Sequence, residues 1–515
     1  MRESSLATME TYLTAGIALY AVQGLLLWAV STAVYRHYFH PLAHIPGPPV
    51  AGVTRLYIWY WNVIRDGHLY RQLEDLHAQY GPVVRIGPNE VHLSDPDNYD
   101  KVYSVGGPFY KDPVFYGALR APCMFTAISN EEHRQRRAPL NHFFSRRAVL
   151  DLEDIAQQKA QKLLHRVRES LNAGTPADLR AGLRAVSIDV LTEYAFADCW
   201  DHLGAPDFNQ WFSEAVRDTG LMWWIFQQFP FVLTMMQAIP DNYARKMSPA
   251  MNGWIDCIVR TRDYISLVQK NFAAGIKPQR RTIFHELLDP TTADEETPIP
   301  PTLESLSGEA LSFFTAAADT TGNALETAAY HVVSNPSVYR TLVEELRTAF
   351  PDPSAQLDFI TFEKLPFFTG VIREGQRLSY GVISRLPRVA PEGGATFNGY
   401  HVPSGTTVSM SSWMMHRNEE AFPSPDVFDP TRWTNPRTLR AREKCLVGFS
   451  RGSRACIGQN LALCELYVTL GTLFRHFDNL EPFEVGTEDM TYVDYFSAFH
   501  PKGSRAFRVV AKGET

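Results

Sequence analysis

Cysteine is scarce in this sequence. Six fall among 515 residues, at 123, 199, 257, 445, 456 and 464, too scattered for a disulfide framework and without the C-x-x-C spacing of a zinc cluster. A reducing compartment fits that usage, with most of the thiols serving as small buried apolar groups. Long blocks of Lys and Arg are also missing, and 49 basic against 56 acidic residues leave a net charge of −7. Nucleic-acid binding therefore has no electrostatic footprint. No internal repeat and no long low-complexity linker divides the chain. Length alone suggests about three domains, yet a 45% hydrophobic composition supplies enough apolar surface for one large core.

Charge is absent as well from Thr11 to Tyr35, "TYLTAGIALYAVQGLLLWAVSTAVY", a run of 25 residues. At the helical rise this is ~37 Å, long enough to cross a bilayer. Tyr12, Trp28 and Tyr35 suit the interfaces, and Arg36 with the histidines after it weakly places the body on the cytosolic side. A cleaved secretory signal, with "STA" at 31–33 as its cleavage site, is the alternative. The length of the run, the poverty of Lys and Arg before it and the cysteine usage count against that reading. The prolines of "HPLAHIPGPP" cannot continue a helix and make a stiff connection to the body. The expected organisation is a short tail at 1–10, a transmembrane anchor at 11–35, a proline-rich hinge at 36–50 and one large domain at 51–515.

Within the body, "GPVVRIGPNEVHLSDP" (81–96) alternates apolar and polar residues around a turn and predicts a hairpin. Patterns from about 130 to 285 are mostly helical, and the prolines and acids of "ELLDPTTADEETPIPPT" predict a loop. A long helix is expected from about Leu303 to Pro336, and another in "FITFEKLPFFTGVIREGQRL". "GATFNGYHVPSGTTVSMSS" returns to short strands. The expected fold is predominantly α with a smaller β portion.

Three constellations carry chemistry. Glu374 and Arg377, in "VIREGQRLSYG", lie i to i+3 on one helix face, where carboxylate and guanidinium meet. With Arg432 of "FDPTRW" they form a candidate clamp, a Glu shared by two arginines. In "FFTAAADTTGNA", Asp319, Thr320 and Thr321 stand mid-helix among alanines, where neither Asp nor Thr has a propensity reason to be. Small neighbours let something bulky lie against that backbone, and a hydroxyl there can bond back to a carbonyl and open a groove. Incidental threonines with small residues for close helix packing explain the stretch equally well in isolation. Third, "FSRGSRACIGQN" holds Phe449, Gly452, Arg454, Cys456 and Gly458 in F-x-x-G-x-R-x-C-x-G, five fixed positions of ten.

That last pattern resembles the haem-binding loop of the cytochrome P-450 (haem-thiolate) monooxygenases. The family's acid–Thr helix, E-x-x-R, P-x-R-[FW] and cysteine loop all occur here in family order, and the likeness covers roughly residues 35 to 510. The resemblance implies haem b with Cys456 as thiolate ligand of the iron, a ligand that favours O–O cleavage. It implies tight turns at Gly452 and Gly458 beside the ring, Phe449 packed beside the sulfur, and propionate contacts from Arg454, His133, Arg137 and Arg388. His133 stands where many relatives carry Trp, and a solvated basic face shared with Arg134 and Arg136 is the alternative for this helix. Those two arginines are candidates for a surface that meets an acidic redox partner. Thr320 would hold oxygen-bound water and Asp319 deliver protons; Ala317 replaces a frequent Gly two positions before the acid.

Substrate contacts are implied in "GGPFYKDPVFYGALRAP", "GLMWWIFQQFPFVLTMMQAIPD" and "YVDYFSAFHPKG", all rich in aromatics. Trp223, Trp224, Phe226, Phe229 and Phe231 are too many for one amphipathic face, so part of that stretch is expected to dip into a bilayer surface. The segment from Arg377 to Trp433 looks most like fungal secondary-metabolism members of the trichodiene-oxygenase-like group. That implies hydroxylation or epoxidation of a terpenoid-like scaffold, with polyketide and indole-alkaloid skeletons as alternatives. The implied setting is the endoplasmic reticulum membrane, with the domain in the cytosol and electrons from NADPH through a separate reductase. A haem-based sensor or carrier is the reading from another class, and a rearrangement without oxygen a third.

Overall fold

The structure is a computed structural model that describes residues 2–119, 121–247, 249–276, 278, 280–288, 302–352 and 355–513. Of the loop expected at 286–302, residues 289–301 lie outside these. Helix α1 (Arg2–Val34) continues through a π-helical turn at Tyr35–Phe39. It carries the apolar stretch Gly16–Phe39, of mean hydropathy 1.8, whose most apolar window is not buried by the rest of the chain. At its end Arg36 donates to the Val53 carbonyl at 2.7 Å, and beyond it Leu42 and Ile45 bury in the body. The proline-rich segment is thus packed against the domain.

The body is helical around a small sheet. Strands β1 (Val83–Gly87) and β2 (Glu90–Leu93) form the expected hairpin. They join β3 (Tyr110–Lys111), β4 (Arg388–Val389) and β5 (Thr407–Ser409) in one sheet of order β1-β2-β5-β4-β3, parallel only between β2 and β5. Helices α2 (Asn130–Phe143), α3 (Leu179–Phe196), α4 (Trp211–Gln228) and α5 (Pro249–Ala273) precede the long α6 (Leu303–Ser334). Next come α7 (Pro366–Ser379) and α8 (Gln459–His476), then the hairpin of β6 (Val493–Tyr495) and β7 (Ser497–Phe499). The axis of the molecule is α6, packed on α3, α5, α7 and α8.

Side-chain oxygens cap three of these helices, Ser129, Asp178 and Thr302 accepting the Glu132, Ala181 and Ser305 amides at the starts of α2, α3 and α6. Helix α3 is buried on nearly every side, from Leu179 to Phe196. Its contact with α6 is close because Gly322 has no side chain: a Cβ there would stand 2.6 Å from Arg184 Cγ. Trp223, Trp224 and Phe226 are buried, with the Trp223 and Trp224 indoles donating to the Phe115 and Asp494 carbonyls, both at 2.8 Å. Only the segment after α4 turns outward, with Phe231 and Met235 exposed. Two indole N–H groups meeting inward carbonyls fix the face of α4 against the solvent.

Candidate active site

The cysteine loop is built from below. Glu374, wholly buried on α7, takes Arg377 in a two-pronged pair, Nε at 2.9 Å and Nη2 at 2.8 Å. It also accepts from Trp433 Nε1 at 2.9 Å and the Asp429 amide at 3.0 Å. Arg432 is less engaged than its motif implied: its Nε lies 3.8 Å from Glu374, and its fork binds the Pro423 and Ser424 carbonyls at 2.6 and 3.0 Å. Trp433, the aromatic of the same P-x-R-[FW] motif, has the firmer bond. His416 carries the clamp to the loop. Its Nδ1 meets the Arg377 carbonyl at 2.8 Å and its Nε2 accepts the Val447 amide at 2.9 Å, two residues before Phe449. Burial pushes His416 down to about 3, so the ring is neutral with its proton on Nδ1.

From Val447 the chain turns through Ser450 (φ 55°) and Gly452 (φ 73°). A Cβ at Gly452 would sit 2.5 Å from the Ser104 carbonyl oxygen, so only glycine fits. The Cys456 amide donates back to the Phe449 carbonyl at 2.8 Å, closing the loop before α8. Cys456 opens onto a cavity of about 1870 Å³ that Phe449, Arg454 and Gly458 also line. Burial of the loop raises the thiol's pKa, against the Gly458 amide and the Arg137 charge. Gly458 has no left-handed φ; a Cβ there would point into that cavity, 3.9 Å from Cys456 Sγ, with no protein atom nearer.

The opposite wall of the same cavity is α6. Ala316, Ala317, Thr320 and Thr321 line it, and Thr320 Oγ1 donates to the Ala316 carbonyl at 2.8 Å. Asp319 does not line it. Adjacent helical residues point about 100° apart, and Asp319 is buried toward α3, where Arg184 Nε is 3.4 Å from Oδ1. Burial pushes its carboxyl up to about 6 although Arg184 pulls the other way. The two residues are neighbours with different outlooks.

One edge of the cavity is cationic. Lys111, Arg388 and Arg454 line it; His133 and Arg137, one turn apart on α2, do not, although His133 is buried and Arg137 Nη1 reaches the loop by donating to the Ala455 carbonyl at 2.6 Å. Arg454 ties the loop to the start of α2 through the carbonyls of Ala127, Ile128 and Ser129 at 2.7, 3.0 and 2.8 Å. Arg388 bonds the Tyr116 hydroxyl at 2.9 Å. Lys111, which sequence reasoning passed over as part of a substrate loop, is paired across the ladder with Arg388 and lies 4.3 and 4.4 Å from the Tyr116 and Phe125 ring centres. Like charges opposed across strands repel. Arg388 opposite Lys111 was the available signal, visible only once β3 and β4 were paired.

Among the described residues none of Lys111, Arg137, Arg388 and Arg454 has a carboxylate in salt-bridge range. Burial and these neighbours push Lys111 well below its ordinary range, Arg454 down to about 10 and His133 down to about 2. Such a cluster is costly without an anion. A flat group with two carboxylates at that edge and a metal over Cys456 Sγ would supply it, and iron porphyrin has that form. The residues fit the group. Of the two extra arginines on α2, Arg136 turns inward to Glu132 at 3.0 Å, Ser305 at 2.7 Å and Glu309 at 3.8 Å, while exposed Arg134 meets Glu131 at 3.0 Å.

Above the α6 wall the cavity is apolar. Phe125, Trp223 and Phe496 meet there, with Trp223 stacked on Phe496 at 4.7 Å and Phe125 5.7 and 5.4 Å from the two rings. Trp223 and Phe496 come from two of the three segments expected to touch substrate, whereas Phe125 lies three residues beyond the end of the third.

Comparison with known proteins agrees with this geometry. The cytochrome P450 family model matches residues 46–499. The chain is 37% identical to the cytochrome P450 monooxygenase MO6277 of Ascocoryne sarcoides, over 88% of this chain and 90% of that protein. It is 36% identical to conidiogenone synthase PchP450 of Penicillium rubens, over 88% and 92%, and 32% identical to tryptophan 6-hydroxylase fscE of Fusarium equiseti, over 94% of each. The family holds haem on a cysteine thiolate and takes its electrons from a redox partner. With its sulfur-floored cavity, cationic edge and threonine-bearing wall, the chain belongs to the cytochrome P450 family and is a P450 monooxygenase.

Proposed function

We propose that this chain is a membrane-anchored enzyme of secondary metabolism that places one oxygen atom from O2 into an apolar, terpenoid-like metabolite, by hydroxylation or epoxidation, in one step or several. The observation that carries this reading is the single cavity of about 1870 Å³ shared by Cys456, Thr320 and the three rings above them. It is larger than the ~300–1,000 Å³ of an ordinary ligand pocket, as a cofactor plus a bulky guest requires. The alternative scaffold is an indole or polyketide one; a relative named a tryptophan 6-hydroxylase favours the indole.

In this reading Cys456 would hold the haem iron through its sulfur, and Lys111, Arg388 and Arg454, with His133 and Arg137 behind them, would hold the propionates. Haem, when bound, supplies the activation of oxygen. The chain's own work is to exclude water, hold the guest and deliver protons. Thr320 offers its hydroxyl to the cavity, and Asp319 behind it stores the proton. Neutral His133 keeps one ring N–H as a donor. Glu374, Arg377 and Arg432, with Trp433, form the clamp under the loop. Helix α1 anchors the enzyme in the endoplasmic reticulum membrane with the domain in the cytosol, beside an NADPH-dependent reductase. Exposed Phe231 and Met235 are the side chains that meet the lipid surface.

The test is product analysis in cells that make the enzyme and a reductase, fed terpene, indole and polyketide precursors under labelled oxygen gas. A terpene product carrying one labelled atom is expected. Labelled product from the indole or polyketide arm alone would replace the substrate class, and product without label would refute oxygen insertion. Replacing Thr320 with Ala should keep the haem spectrum and lower product per NADPH by about tenfold or more, with peroxide rising to match. Undiminished coupling would remove Thr320 from the relay.

A further inference from the structure

Behind the cavity wall lies a charge cluster that has no part in the proposed function so far. Glu326 sits on α6 two turns beyond Asp319 and is wholly buried. Arg184 of α3 reaches both acids, but unequally: Nη1 is 2.6 Å from Glu326 Oε2, whereas Nε is 3.4 Å from Asp319 Oδ1. Arg180, one turn earlier on α3, holds the other Glu326 oxygen at 2.6 Å. His500, after β7, places Nε2 3.3 Å from Glu326 and Nδ1 3.1 Å from the Thr491 carbonyl. Asp319 Oδ2 is buried without a hydrogen-bond partner. Gly322 is the residue over which the Arg184 side chain passes.

We propose that Glu326 is a positioning residue for proton delivery: it takes the Arg184 guanidinium that would otherwise close on Asp319, leaving one Asp319 oxygen unpaired and able to carry a proton. A carboxylate gripped by both prongs of an arginine gives up its affinity for protons. Here the two Glu326 oxygens are held by one nitrogen each from Arg184 and Arg180, with His500 beside them, and Asp319 keeps one long contact to Arg184. The groups that act on Asp319 are Arg184 from α3, Arg217 from α4 and Glu326 on its own helix, while Arg180 and His500 act on Glu326. Only Glu326 among them competes with Asp319 for a cation. The proposal rests on the oxygen-activating role of this cavity for its purpose, while the protonation of Asp319 can be read without turnover.

The experiment is infrared titration of the haem-loaded protein, with the Asp319→Asn difference spectrum assigning its carboxyl band among those of Glu309, Glu465 and Asp494, which burial also raises. Glu326→Gln frees Arg184 for Asp319, so the protonated band should vanish about one pH unit or more lower than in the parent. Arg184→Gln removes the cation and should move the same midpoint upward. Opposite signs are the signature, since general damage to the core has no reason to produce them. The pH profile of product per NADPH should follow each shift. Midpoints that stay in place, or that move in one direction in both variants, would overturn the proposal. Shifts of the expected signs without any oxygenated product would uphold it and count against the catalytic reading instead.

Discussion

Replacing Cys456 with Ala yields protein that purifies without haem and gives no red-shifted Soret band when reduced under carbon monoxide. The expectation follows from what else the cavity offers. Cys445 and Cys464 lie close in sequence, yet both are buried in the core, and burial pushes Cys445 up to about 11 and Cys464 higher still. Neither lines the cavity. Cys123 does, with its sulfur 3.4 Å from the Thr126 hydroxyl. Cys123→Ala is therefore the control and should keep the band. The loop around Cys456 is pre-shaped by the Phe449 hydrogen bond and the Gly452 turn, so a ligand elsewhere would have no such support. Pigment analysis and the carbon-monoxide spectrum of both variants check this, and a retained band in Cys456→Ala would assign the iron to another residue.

Glu374→Ala is expected to prevent accumulation of folded protein. Its carboxylate and the Arg377 guanidinium are each fully excluded from solvent. Removing one partner of a buried pair costs about 3–5 kcal/mol, set against a total stability of roughly 5–15 kcal/mol. Here the loss also strips acceptors from Trp433 Nε1 and the Asp429 amide. Because His416 joins this clamp to Val447, haem affinity should fall even in any fraction that folds. Glu363→Ala is the contrast: its partner Arg146 is about half exposed, and such surface pairs are worth about 0–1 kcal/mol. Soluble yield and denaturant midpoints of the two variants give the comparison. Parent-like stability of Glu374→Ala would show that the clamp does not hold the loop.

What could be read from the sequence was whatever lay within one element. Glu374 with Arg377, and His133 with Arg137, are spaced by a helical turn, and the cysteine loop is contiguous. Helix α6 was visible from Leu303 onward because its apolar pattern is long. Contacts between distant segments were not legible. Lys111 meets Arg388 only through strand pairing, and Arg184 meets Glu326 only because Gly322 lets two helices touch. Trp433 was masked by the more obvious Arg432 beside it. Which part of the aromatic run 223–231 faces outward was not legible, because composition does not say which faces are covered; Trp223 and Trp224 are committed inward by their indole hydrogen bonds. Asp319 and Thr320, adjacent in sequence, were treated as one unit, whereas the helix sends them to different neighbours.

The central claim is that a sulfur of this chain binds iron at the floor of the cavity, and X-ray absorption at the iron edge of the purified protein addresses it without relying on turnover. The expected result is one sulfur scatterer beside the porphyrin nitrogens in the parent and in Cys123→Ala. A first shell of nitrogen and oxygen alone in the parent would contradict the account.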